Sequence, residues 1–152
     1  MDISSAVPNT ELEALSRRYA AAVDHRDRAA LLAVFTPDAT ISVERPGREP
    51  GILTGHVGIE RIITIVSRWQ RTAHLIAQGL YVVEGESAVG EVYCTANHFG
   101  DSAAEAGRNQ VMHIRYLDRY VLDSDGWWRI AHRTVALDAT EDRPVSIGER
   151  TR

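Results

Sequence analysis

The chain has 152 residues, 17 basic and 21 acidic side chains, a formal net charge of -4 and 44% hydrophobic residues. That length supports one domain with its own core, and the acidic balance leaves no basic footprint for nucleic acid. No run approaches the roughly 18 apolar residues of a membrane span, and the opening MDISSAVPNTELEAL lacks the cationic and apolar regions of a signal peptide, so we expect a cytoplasmic protein.

Residues 1–9 read as a flexible arm. Thr10 with Glu13 forms a capping box that starts a helix near Glu11, and Leu12, Leu15, Tyr19 and Val23 recur at helical spacing to give one buried stripe. DHRD breaks that stripe. Asp24 stands where it runs out, at a helix end whose dipole disfavours a carboxylate. Tyr19 lies five residues earlier, about 140° around a helix, so the two converge only if the helix ends at Val23 and the chain turns Asp24 inward. Asp27 can cap a short second helix, RAALLAVF, which Thr36-Pro37 ends because the residue before proline is pushed out of the helical region.

ATISVE alternates as a strand, RPGREPG is a turn, and after ILTG the segment HVGIERIITIVSRW reads as a third helix with Ile59, Ile62, Ile63 and Val66 on one face. From there the period falls to two. Strands are expected over 73–83 and 89–98 around the turn EGES, then a loop, DSAAEAGRNQ, then a long hairpin turning at DSDG and ending at Asp138. On its last strand Trp128, Ile130 and His132 share one face, while Arg129, Ala131 and Arg133 share the other. Arg133 therefore reaches the interior only if that second face lines it or a bulge intervenes. Residues 141–152 read as a polar tail. The order predicts an α+β fold over 10–140, with three N-terminal helices packed on one face of a curved antiparallel sheet.

The single cysteine, Cys94, excludes an internal disulfide framework and reads as a small buried hydrophobe. His98, before a glycine turn, reads as exposed, whereas His113 and His132 lie on strands and could face a pocket. No histidine pair has metal-ligand spacing and no acidic cluster joins them, so no metal and no other cofactor is expected.

RYAAAVDHRDRAALLAVFTPDATI, GHVGIERI and DRYVLDSDGWWRIAHR resemble the SnoaL-like branch of the nuclear transport factor two-like superfamily. The resemblance spans roughly residues 10–140 and implies a cone: a curved sheet wrapped around three helices, enclosing a deep apolar pocket. Within it, the bile-acid 7α-dehydratase, dehydrochlorinase and scytalone dehydratase types carry an aspartate at the end of the first helix and a histidine early in the sheet. The first two add an arginine on the last strand. Asp24, His74 and Arg133 occupy those places, and Tyr19 matches the tyrosine of the bile-acid type.

The resemblance thus implies a cofactor-independent lyase acting on a hydrophobic, carbonyl-bearing molecule of steroid or polyketide type. A base poised near ambient pH removes a proton beside a carbonyl, and a carboxylate on its other ring nitrogen fixes the tautomer. His74 would be the base, Asp24 its orienting group, Tyr19 the proton donor and Arg133 an anion clamp. Asn97, His113, Tyr116 and Trp69 are candidates for the pocket wall. Isomerase or cyclase chemistry, or non-catalytic binding of a small molecule, remain alternatives. Against the ketosteroid isomerases, the offset from Asp38 that would carry their base lands on Val43. The resemblance also implies a homodimer or higher homo-oligomer.

Overall fold

The computed structural model describes residues 1–101 and 107–148. A helical turn at Ile3–Ser5 leads into α1 (Thr10–His25) and α2 (Arg28–Ala33), then β1 (Phe35–Glu44), β2 (Gly51–Thr54), α3 (Gly55–Ile59), α4 (Arg61–Val66), β3 (Trp69–Glu84), β4 (Ser87–Asp101), β5 (Arg108–Leu122) and β6 (Trp128–Pro144). The strands form one sheet in the order β2-β1-β6-β5-β4-β3. β3 through β6 are a meander of antiparallel neighbours, and β1 pairs antiparallel with β2. The β1–β6 pair is parallel, which an all-antiparallel expectation missed: the helices between β2 and β3 separate the two hairpin systems, so nothing forces β1 to enter the sheet in the alternating sense.

Leu12, Leu15, Tyr19 and Val23 all lie at 5% exposure or less, so the stripe on α1 packs against the sheet as its spacing requires. The start of the helix differs from the expectation. Asn9, not Thr10, is the cap, its side-chain oxygen accepting the N–H groups of Glu11 and Leu12 at 3.1 and 3.0 Å. Nor does the helix stop at Val23; it continues through Asp24 and ends at a left-handed Arg26 (φ 59°, ψ 32°). Asp27 caps α2 by accepting the Ala30 N–H at 3.0 Å.

The third helix is broken into two short pieces, because the Ile63 N–H bonds to Glu60 O three residues back and tightens the turn between them. Residues 1–9 are tethered rather than free: Val7 and Tyr81 exchange both backbone hydrogen bonds at 2.9 Å. At the other end β6 continues past Asp138 to Pro144, paired with Arg108, so the first residues of the expected tail are strand. The loop expected over 101–110 is strand at Arg108–Gln110, with its residues 102–106, like 149–152 of the tail, outside the described residues.

Two irregularities set which side chains face the helices. Between Arg119↔His132 and Tyr120↔Ile130 the register steps by an extra residue, Ala131, on β6. Ile130 and Arg133 therefore share the concave face, and both are fully buried. On β3 the register steps again between Ile76 and Gly79, and Tyr81 turns in beneath the helices. Tyr81 packs over glycines: a Cβ on Gly90 would stand 2.5 Å from its ring.

Candidate functional site

Asp24 projects from the last turn of α1 onto the start of β3. Thr72 and His74, two residues apart on that strand, share the face beneath it. Asp24 Oδ1 accepts from His74 Nδ1 at 2.7 Å and from Thr72 Oγ1 at 2.9 Å, and Oδ2 accepts from the His74 backbone N–H at 2.9 Å. Burial alone would raise the Asp24 carboxyl, but these donors outweigh it and hold the group below the usual carboxylate range. They also answer the adverse end of the helix dipole. An ionised carboxylate only accepts, so Nδ1 carries a proton, and in the neutral imidazole the lone pair lies on Nε2. The His74 side chain is 6% exposed.

Tyr19 reaches the same imidazole from another direction, its ring edge-on to His74 with centroids 6.5 Å apart. The two helix residues need not share a face, because His74 lies between them. Burial pushes the Tyr19 hydroxyl up to about 12, with the Arg133 charge pulling the other way, so it is a proton donor throughout the neutral range.

Arg133 is fully buried, with its guanidinium 4.4 Å from the ring centre of Tyr19 and 4.0 Å from that of Tyr116. Its fork is already engaged: Nε and Nη2 donate to the two oxygens of Asp118 at 2.8 and 2.7 Å, and Nη2 also donates to Ser16 Oγ at 2.9 Å. Nη1 is buried with no hydrogen-bond partner among the described residues. Arg133 is thus not a free bidentate clamp; only Nη1, with its two N–H groups, is left without a hydrogen bond.

His98 is buried at 5% exposure rather than exposed, because it continues the inward alternation of Cys94 and Ala96 on β4. Its Nδ1 donates to Gln110 O at 3.1 Å, its ring lies 5.8 Å from that of His74, and Trp69 packs against it at 4.4 Å. Burial drives its pKa down to about 4, so it is neutral at ordinary pH.

Tyr19, Asp24, His74 and Arg133 thus share the concave side, joined there by Tyr116 and, through His98, by Trp69. Tyr116 is 1% exposed and turns its hydroxyl to Cys94 Sγ. Asn97 and His113 are not brought to this cluster, since the β4 and β5 alternation puts them on the opposite face. Asn97 bridges Ala73 O and the Asn109 side chain, and His113 Nε2 pairs with Glu141 at 2.7 Å. His132 is likewise turned away by the bulge, bonding Thr40 and Thr134. Asp118, Thr72, Arg26 and His98 were missed. For Asp118 a signal existed: it alternates with Tyr116 and Tyr120, and a carboxylate on an inward face needs a buried cation. A hollow of about 590 Å³ runs elsewhere, along the flank of α1 beside Trp127 and Trp128.

The sequence pattern of the SnoaL-like domain family matches residues 8–134, and the chain belongs to that family. It is similar to a Novosphingobium aromaticivorans protein provisionally assigned as an aromatic ring hydroxylase, at 26% identity over 88% of this chain and 91% of that one, TM-score 0.74. A hexachlorocyclohexane dehydrochlorinase from Novosphingobium barchaimii shares the fold at 15% identity, with 92% and 93% of the chains covered and TM-score 0.77. So does a Novosphingobium aromaticivorans protein provisionally assigned as a scytalone dehydratase, at 19% identity, 93% of each chain and TM-score 0.71. No curated protein matches the chain at a significant level.

Proposed function

We propose that the protein is a cofactor-independent lyase acting on a hydrophobic small molecule that carries a carbonyl and, one carbon beyond the acidic C–H, a hydroxyl. The observation that carries this reading is the 2.7 Å hydrogen bond from His74 Nδ1 to Asp24. It leaves Nε2 as a base whose tautomer is fixed and whose positive charge, once formed, is balanced.

Nε2 takes the C–H proton, and the electron pair becomes an enolate. The enolate collapses to a carbon–carbon double bond as the hydroxyl departs. Tyr19 protonates the leaving oxygen, and the imidazolium returns its proton to Tyr19, so the net products are the alkene and water. Arg133 meets an acceptor oxygen of the substrate through the N–H groups of Nη1. The cavity would lie over His74 Nε2, with Trp69 and His98 on one side and Tyr19 and Tyr116 on the other. A homo-oligomer in the cytoplasm is part of the same proposal, its self-association supported by Leu75, Tyr93 and Leu117 exposed on the outer sheet face.

The test is solvent-deuterium exchange at the α-carbon of a panel of hydrophobic β-hydroxy ketones and thioesters, with product mass followed in parallel. His74→Ala and Asp24→Asn should each lower exchange ~100- to 10,000-fold. Exchange with loss of water supports the lyase, and exchange without it supports isomerase or cyclase chemistry. Binding without exchange, unchanged in His74→Ala, would leave a non-catalytic module.

A further inference from the structure

Arg26 is the one non-glycine residue with positive φ among the described residues, at φ 59°, ψ 32°. A left-handed residue closing a helix is the place where glycine costs nothing and a Cβ is strained. An arginine persists there only if its side chain does something a glycine could not.

Its guanidinium is bound on both arms. Nη1 donates to Val23 O and to Thr72 Oγ1, both at 2.7 Å, and Nη2 donates to Val66 O at 3.0 Å. The end of α1, the end of α4 and the start of β3 are thereby joined at one planar, rigid group. Thr72 is the informative partner. Its hydroxyl has one proton, and with an Arg26 N–H directed at its oxygen that proton is free to go only outward, to Asp24 Oδ1 at 2.9 Å. Oδ1 is the same oxygen that receives His74 Nδ1.

We infer that Arg26 is a positioning residue for the Asp24–His74 pair, acting through the Thr72 hydroxyl. The inference rests on the proposed base role of His74 for its effect on turnover, though not for its effect on the pair itself. Arg26 makes the hydroxyl an obligate donor to Asp24, and that donor fixes the carboxylate rotation on which the His74 ring depends. Lysine could carry the charge but not the two-armed grip.

The experiment is a double-mutant cycle of Arg26→Gly and Thr72→Val with two readouts. The first is the proton resonance of His74 Nδ1–H in substrate-free protein, shifted far downfield by its carboxylate bond. The second is kcat and KM for any substrate found to exchange. Each single variant should broaden or move the resonance and lower kcat ~10- to 100-fold with KM within about twofold, as expected for small misplacements of a reacting group. The double variant should be no worse than the worse single, because both remove one relay. Additive effects, or a folded Arg26→Gly protein with resonance and kcat unchanged, would overturn the inference and leave Arg26 a helix cap. If Arg26→Gly does not fold, Arg26→Lys replaces it in the cycle under the same criteria. Should the wild-type protein prove to have no lyase activity, the resonance decides the matter alone.

Discussion

His98 is a buried side chain whose ionisation the fold opposes. Its folded pKa of about 4 lies below the 6.5 of an unperturbed histidine, burial being the main cause, with its bond to Gln110 O acting the other way. The neutral form is favoured in the fold, so the stabilisation is complete above pH 6.5 and is lost as pH falls from there through about 4. The loss is on the order of 3 kcal/mol. Urea denaturation from pH 7 to pH 4 should show the wild-type protein weakening steeply and His98→Gln much less so.

Asp118 sets a second case at the same scale. It holds Arg133 in a pair with both side chains at 0% exposure, and it also accepts the Tyr120 hydroxyl at 2.8 Å. Asp118→Asn leaves a buried guanidinium uncompensated and should cost about 3–5 kcal/mol in the same assay. Asp24 was legible as a residue because it stands at a helix end that disfavours a carboxylate, whereas His74 was singled out only through the family resemblance. His98 was misread because the nearby glycine outweighed the alternation of Cys94 and Ala96.

Among elements, β6 does most to arrange the interior, because one extra residue at Ala131 rotates Arg133 onto the buried face. Alternation read from Trp128 alone puts it outside. A bulge leaves no mark in composition, since an alanine in a strand is unremarkable, so the sequence could name it as a condition for Arg133 but not place it. The break in the third helix was equally hidden: Ile59, Ile62, Ile63 and Val66 keep one face through a tightened turn. β3 and β4 show the converse, where a glycine does carry the signal. Gly90 faces Tyr81, and a Cβ there would stand 2.5 and 2.8 Å from two ring carbons of Tyr81 and 3.1 Å from Tyr120. Both rings are buried and cannot retreat, so Gly90→Ala should destabilise the protein by about 1–3 kcal/mol, read as a lower thermal midpoint at unchanged secondary structure.

At the scale of the whole molecule, the α+β class and the helices-then-meander order were legible, because period-two and helical spacing occupy separate stretches of the chain. The parallel pairing of β1 with β6 was not, since strand direction depends on a connection and not on the strands. That pairing joins Phe35 to Ile130 and Ile41 to Arg133, whereas β3 and β4 meet across a turn of two residues. Closing a loop costs about 0.6 kcal/mol more for each doubling of its length. The hairpins can therefore zip early while β1 is still searching, and the sheet is completed when β1 docks. Ile114→Val, on a meander strand, should slow refolding, whereas Ile41→Val should leave refolding near the wild-type rate and speed unfolding, as stopped-flow chevrons would record. The β1 seam is then the first to part under stress, and a nascent chain has no finished enclosure until β6 has been synthesised.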